Sequence, residues 1–174
     1  MQHRRGGWGS IIQQSLRTEA ESVAIALEIS LFDVAAAVRW ADRQIEQADV
    51  PHIAICDVAL AASKHPQDVA FMLRQVPGEC DHPQAVRLVL RYALAALEER
   101  ERDPRQIAHG LFDLACADDL PESDLKHHAW GYWDALDLAR DGYVDQTEEQ
   151  IVSHMISTLK SFLAGETRRA DRTE

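Results

Sequence analysis

The chain has 174 residues, of which 46% are hydrophobic and 27% are charged, and its formal net charge is −11. This length and balance predict one folded domain with its own hydrophobic core and exclude a disordered chain. A strongly negative surface repels nucleic acid and anionic lipid headgroups, since both are bound through positive charge. We therefore expect no nucleic-acid partner and no membrane contact, whereas a basic protein partner is favoured.

The cysteines and the first residues indicate a cellular compartment. Cys56, Cys80 and Cys116 are widely spaced and form no C-x-x-C pair, which excludes a zinc ribbon and a redox motif and suits a reducing cytoplasm. No apolar segment follows the arginines of Met1–Ser10, and no apolar run approaches the roughly 18 residues of a membrane span. With 15 arginines against 3 lysines, the composition is typical of a GC-rich bacterial genome. We expect a cytoplasmic bacterial protein.

The first third of the chain predicts a short lead followed by helices. Residues 1–9 are rich in glycine and arginine and predict a disordered lead. Thr18 and Glu21 have the spacing of a capping box, which predicts a helix start at Thr18. Behind Asp33, apolar residues recur with a helical period, and this stripe leaves Trp40 facing either another neighbour or solvent. The stripe is Val34, Val38, Ala41 and Ile45.

Four prolines predict four further helices. Proline suits the first helical turn, because a backbone N–H at that position would have no partner within the helix. Each follows closely on an aspartate or a histidine, and histidine is a weak helix cap. The predicted helices cover about residues 51–62, 66–76, 83–102 and 104–116. The pairs are Asp49 and Pro51, His65 and Pro66, His82 and Pro83, and Asp103 and Pro104.

The fold class follows from the absence of any strand pattern. No alternation of β-branched residues stands between hairpin turns, and short loops join the helical segments. The sequence predicts an all-α fold, either a single-domain irregular helical bundle or a short stack of helical hairpins, with about seven or eight helices over residues 10–165. Residues 166–174 are predicted to be a disordered charged tail.

The segment Pro121–Gly165 holds the most distinctive pattern. It predicts two amphipathic helices joined by a turn at Asp141–Gly142, the first with a buried stripe. Residues 113–149 carry eleven acids against only Lys126 and Arg140, which is −9 of the net charge. The stripe is Leu125, Ala129, Tyr132, Leu136 and Ala139.

Part of this segment, Asp137–Glu148, resembles an EF-hand calcium loop. Carboxylates stand at its first, fifth, ninth and twelfth positions, and Gly142 stands at the sixth. Its third position is Ala139, which has no oxygen to offer a cation. The same letters fit a plain helical hairpin in which Gly142 ends one helix and Asp145 caps the next. We therefore expect no metal and no cofactor, with a calcium or zinc site in this loop or among the histidines as the alternative.

No sequence pattern points to catalysis. The chain has no G-x-S-x-G elbow, no P-loop and no G-x-G-x-x-G turn. Cys56 and Cys116 stand among apolar residues, as inert core thiols do. His127 and His128 point about 100° apart on a helix and do not share a site. We expect the protein not to be an enzyme.

The acidic face of the Pro121 helix is the predicted partner-binding surface. Trp130, Asp134, Asp137 and Asp141 lie off its buried stripe, and tryptophan beside carboxylates suits a basic partner. Packing of Trp130 in the core is the competing interpretation. The hypothesis is a non-catalytic protein–protein interaction module, with an immunity-type inhibitor of a toxin as its most specific form. The alternatives are a metal-dependent sensor or enzyme, and a homo-oligomeric structural protein with Trp40 or Trp130 buried between copies.

Overall fold

A computed structural model describes the backbone of residues 8–170 and the side chains of residues 16–165. Within that range there are nine helices and no strand, which confirms the all-α prediction with one or two more helices than expected. Residues 1–7 of the predicted lead and 171–174 of the predicted tail lie outside the described range. The helices are α1 Trp8–Glu28, α2 Val34–Gln47, α3 Ile53–Ala59, α4 Pro66–Leu73, α5 His82–Glu98, α6 Pro104–Cys116, α7 Asp124–Ala129, α8 Tyr132–Arg140 and α9 Glu148–Ala170.

The helices form two compact units, one of residues up to Val89 and one from Leu90 onward. Helix α5 runs across this boundary. The range 10–165, predicted as one domain, therefore holds two such units. None of the described helices is both long enough and apolar enough to cross a membrane.

Unit 1 is built around α1, which packs on α4, while α2 packs on α3. Trp40 is only 5% exposed and belongs to the core of this unit. Of the two environments that its position off the stripe allowed, it therefore faces other helices and not solvent. Burial of one large apolar side chain stabilises a fold by roughly 1.5–3 kcal/mol. The largest fully buried side chains of this core are Val23, Ile55, Val58 and Leu73.

The predicted helix start at Thr18 is wrong, because Thr18 and Glu21 lie inside α1. Their side chains are buried and make contacts within α1 and with later segments instead of capping a helix. The Thr18 hydroxyl accepts a hydrogen bond from the Asp81 N–H at 3.0 Å, and Glu21 forms ion pairs with Arg17 at 2.8 Å and with Arg74 at 3.0 Å. Thr18 and Glu21, whose spacing is typical of a cap, thus connect α1 to the segment that follows α4.

Histidines cap two helices of unit 1. Nδ1 of His65 accepts the Gln67 N–H at 3.3 Å, and Nδ1 of His52 accepts the Ala54 N–H at 3.2 Å. A neutral imidazole has one such acceptor nitrogen, so it can satisfy an orphan N–H at a helix start. His52, not Asp49, is therefore the cap of α3. At α5 the cap is Asp81, whose Oδ1 accepts the Gln84 N–H at 3.0 Å, and His82, the histidine before Pro83, is already helical.

Unit 2 packs α6 against α8, α8 against α9, and the short α7 against both α6 and α9. The stripe predicted from the sequence points into this core. Leu125, Ala129, Tyr132 and Leu136 are all buried, and Ala139 is half-buried. Leu111, Leu114, Met155 and Leu159 complete the buried set from α6 and α9.

The predicted hairpin of two helices is instead three helices. Gly131 interrupts the first one, so that α7 ends at Ala129 and α8 begins at Tyr132. Glycine has the lowest helix propensity after proline, which favours a break there. The turn at Gly142 has φ +74°, as predicted for a helix end. The predicted cap Asp145 is wrong: Thr147 and Gln150 bond reciprocally as a capping box at the start of α9.

Candidate functional site

Four aromatic rings meet on the surface of unit 2. His109 and Phe112 come from α6, while Trp130 and Trp133 flank the break between α7 and α8. The Trp130 ring lies edge-on to Phe112 with centroids 5.4 Å apart, and Trp133 lies edge-on to His109, also at 5.4 Å. Such pairs each contribute about 0.5–1.5 kcal/mol beyond burial. We call these four residues the aromatic surface.

The two indoles of the aromatic surface are held in place yet remain open to solvent. Trp130 is 50% exposed and Trp133 is 42% exposed, whereas Trp40 is buried. Both side chains, on either side of the interruption at Gly131, lie against the Phe112 ring of α6, and Trp133 also contacts His109. Contiguous exposed aromatic area is uncommon on a monomer and marks interaction sites. Trp130 therefore does not pack in the core.

Two carboxylates lie next to these rings in the chain. Asp113 follows Phe112, and its Oδ2 is 3.1 Å from Nδ1 of His109. Asp134 follows Trp133, is exposed, and has no ion pair within the described part of the chain. A cation that approaches the indoles therefore meets negative charge from both α6 and α8.

The remaining predicted site residues, Asp137 and Asp141, are bound by arginines. Oδ1 of Asp137 is 3.1 Å from Nε of Arg105, and Nη2 of Arg105 donates to the Leu136 carbonyl at 3.3 Å. Nε of Arg105 is buried without a hydrogen bond of good geometry, so its contact with Asp137 is ionic. Arg140 binds Asp141 at 3.2 Å. Asp137 therefore joins α8 to α6, and Asp141 pairs with Arg140 at the end of α8, while Trp130 is half-exposed and Asp134 is exposed.

The calcium interpretation loses support from the same contacts. Its first four positions lie inside α8, which runs on to Arg140, so the segment is not a loop that can wrap a cation. Arg105 already neutralises Asp137 and lies 3.8 Å from Glu148. Across the described residues, no group of three or more histidine, cysteine or acidic side chains is placed to hold a metal ion.

A second feature of unit 2 is a groove of about 550 Å³ between α7 and α9, the α7–α9 groove. Two imidazoles meet there at a right angle: the His128 and His154 rings have centroids 4.7 Å apart and planes at 85°. Hydroxyl groups and carboxylates make up most of the remaining wall. The groove is lined by Glu122, Ser123, Asp124, Ser157, Thr158 and Ser161 together with these histidines and apolar residues at its ends.

A closed set of hydrogen bonds underlies this groove. The Tyr132 hydroxyl donates to Oγ1 of Thr158 at 3.0 Å, and that hydroxyl donates to the His154 carbonyl at 2.9 Å. Nδ1 of His154 is 3.1 Å from the Tyr132 oxygen. Burial raises the pKa of the Tyr132 hydroxyl more than the bond to Thr158 lowers it, so the phenol is neutral at physiological pH. Tyr132 thus ties α8 to α9 beneath the two imidazoles.

Sequence reasoning missed most of both features. Trp133, Phe112 and His109 come together only because α6 packs on α8, and His128 meets His154 across 26 positions of the chain. One usable signal was Gly131: a helix break there puts Trp130 and Trp133 on either side of a turn. No local pattern pairs His128 with His154.

No family model, curated protein or solved structure matches the chain. Function must therefore be argued from the two surface features of unit 2. Of the four predicted site residues, Trp130 belongs to the aromatic surface and Asp134 follows Trp133 in the chain, and none of the four lines the α7–α9 groove.

Proposed function

We propose that the protein is a non-catalytic binding module that recognises a basic segment of another protein through the aromatic surface. The observation that carries this proposal is the pair of half-exposed indoles held edge-on against α6 in the most acidic part of the chain. Tryptophan is among the residues most enriched in interface hot spots, and its rigid ring loses little conformational entropy on binding.

The chemistry of this surface suits arginine and lysine side chains. A guanidinium or ammonium group over an indole face gains about 0.5–2 kcal/mol, depending on how far it is desolvated. Asp113, whose Oδ2 is 3.1 Å from the His109 ring, and Asp134, which follows Trp133 in the chain, can accept charge-assisted hydrogen bonds from such a group. A basic segment can therefore use both the aromatic faces and the carboxylates at once.

Charge beyond the contact surface supports the same partner class. Residues 113–149 carry −9, so an approaching basic protein is attracted before contact. This attraction raises the association rate and weakens with salt. An inhibitor of a basic toxin is the most specific protein of this kind that the charge and size favour.

The homo-oligomeric alternative has less support. Trp40, one of its two candidate contact residues, is buried in the core of unit 1 and offers no surface to a second copy. The other, Trp130, lies in the acidic stretch, where two identical copies would bring like charges together. A partner of opposite charge avoids this repulsion.

The proposal is tested with a short fluorescein-labelled peptide of alternating arginine and glycine, titrated with the protein and followed by fluorescence anisotropy. We expect binding that weakens with salt, and a loss of at least tenfold in affinity in W130A/W133A, or about 1.4 kcal/mol. The matched control is F71A, which removes an aromatic side chain that is 66% exposed in unit 1.

A pair of charge variants separates a specific site from general attraction to an acidic protein. D113N/D134N and D42N/D57N change the net charge equally, but only the first pair flanks the indoles. We expect the first pair to weaken peptide binding several-fold more than the second. Equal losses in both pairs, or unchanged affinity in W130A/W133A, would show that the peptide follows net charge alone and would overturn the proposal.

A further inference from the structure

We propose that His128 and His154 form a binding site for a divalent transition-metal ion such as Zn²⁺ in the α7–α9 groove. The separation of the two imidazole rings is close to that of two ligands of one ion. A metal–nitrogen bond of about 2.0–2.1 Å places an ion roughly 3.2 Å from the centroid of each imidazole. At the tetrahedral angle that zinc prefers, two such rings have centroids about 5.2 Å apart. The observed separation is 4.7 Å, so a side-chain shift of about half an ångström brings the two rings to this distance.

The hydrogen bonds beneath the groove select the tautomer that such a site needs. The one hydrogen of the Tyr132 hydroxyl goes to Thr158, and the hydroxyl hydrogen of Thr158 goes to a backbone carbonyl. The contact between Tyr132 and Nδ1 of His154 must then use a hydrogen on Nδ1. Nε2 of His154 is left with a lone pair. Metal-binding histidines are oriented in this way by a partner on their other nitrogen.

The surroundings indicate an open site rather than a closed structural one. Both imidazoles are exposed to solvent at the groove, and no third histidine, cysteine or acidic ligand joins them within the described residues. Water would complete the coordination. Of the two carboxylates on the wall, Glu122 is paired with Lys126 at 2.9 Å, whereas Asp124 adds negative potential that favours a cation over an anion. Imidazole nitrogen suits Zn²⁺, Cu²⁺ and Ni²⁺ and excludes Ca²⁺ and Mg²⁺, which take oxygen ligands.

Metal binding here has a structural consequence that is separate from partner binding at the aromatic surface. His128 belongs to α7 and His154 belongs to α9, so one ion would join two helices of unit 2. A ligand that binds only the folded state stabilises it in proportion to its concentration relative to Kd. The site uses none of the residues proposed to contact the basic partner, so either proposal can fail alone.

Calorimetric titration with Zn²⁺ at neutral pH tests the site. We expect one ion per chain and a higher midpoint of thermal unfolding with Zn²⁺ than without it. H128A and H154A are each expected to lower the affinity at least tenfold, and Y132F about tenfold, because it removes the partner of Nδ1. Since His128 is exposed, H128A tests the site even if H154A disturbs packing.

Two histidine variants are matched controls. His127 is the exposed neighbour of His128 on α7, and His109 is paired with a carboxylate on α6. H127A and H109A are expected to bind Zn²⁺ like the wild type. The proposal is overturned if no heat is detected up to millimolar Zn²⁺, or if the affinity survives in H128A and H154A.

Discussion

The two units use the same residue types for opposite purposes. Residues 1–89 contain eleven acids and eight bases, while residues 90–174 contain eighteen acids and ten bases. In unit 1 the described tryptophan is buried, two histidines cap helices, and a buried glutamate bridges two arginines. In unit 2 two tryptophans are half-exposed, and three histidines contact other aromatic rings.

This difference separates residues that hold the fold from residues that are available to a ligand. In unit 1, Trp40, Glu21 and the two capping histidines are satisfied by contacts within the unit, and their removal should cost stability. The corresponding groups of unit 2 are only partly covered, so their removal should cost binding more than stability. The comparison makes three predictions about stability, which differ in expected size.

The largest expected effect concerns the tryptophans. W40A should lower the free energy of unfolding by about 3–5 kcal/mol, because it leaves a cavity in the core of unit 1. W133A should cost about 1 kcal/mol or less, since that side chain keeps much of its contact with water. Urea denaturation followed by far-UV circular dichroism measures both values. Similar losses of unfolding free energy in the two variants would show that the tryptophans of the two units do not differ in this way.

The next effect is the pH dependence that Glu21 adds to unit 1. Burial raises the pKa of Glu21, but the hydrogen bonds and charges of Arg17 and Arg74 outweigh it and hold the pKa below its usual value. Its stabilisation is therefore present above the usual glutamate pKa of about 4.3, and it is lost as pH falls through the lower folded value.

The isosteric variant E21Q tests this dependence. We expect a loss of about 1–2 kcal/mol at pH 7, less than for a fully buried pair because Arg74 is 35% exposed. The gap between the wild type and E21Q should shrink as pH falls below about 4. Denaturation at a series of pH values measures it, with E46Q as the control at an exposed glutamate. A gap that stays constant with pH would assign Glu21 a packing role only.

The last prediction concerns the two glycines that shape unit 2, one with an effect like that of E21Q and one with almost none. G142A should cost about 1–2 kcal/mol, because φ +74° is strained for any residue with a Cβ. G131A should be neutral or stabilise by up to about 1 kcal/mol, since its φ is −112° and the nearest atom to an added Cβ is 3.9 Å away.

Thermal denaturation measures the glycine variants, and tryptophan fluorescence reports on the aromatic surface in each. We expect G131A to keep the wild-type emission maximum, because packing of α7 and α8 on α6 decides the break more than propensity does. A changed maximum would show that Gly131 itself positions the two indoles.

Local patterns in the sequence determined the fold class, one buried stripe and several helix ends of this protein. Apolar spacing predicted the all-α fold and the buried stripe from Leu125 to Leu136, and prolines marked the starts of α4 and α6. Gly142 marked a helix end, which the structure has. These features depend on residues within one or two helical turns, which a linear pattern records directly.

Tertiary structure alone decided which side chains are exposed to a ligand. Trp40 and Trp130 both lay off a predicted stripe, yet one is buried and the other is half-exposed, because only Trp40 has helices packed around it. Asp137 is bound by Arg105 across 32 positions of the chain, and His154 meets His128 across 26. Such contacts depend on which helices pack together. The spacing of apolar residues within one helix does not predict its packing partner, because many pairs of helices satisfy the same packing geometry.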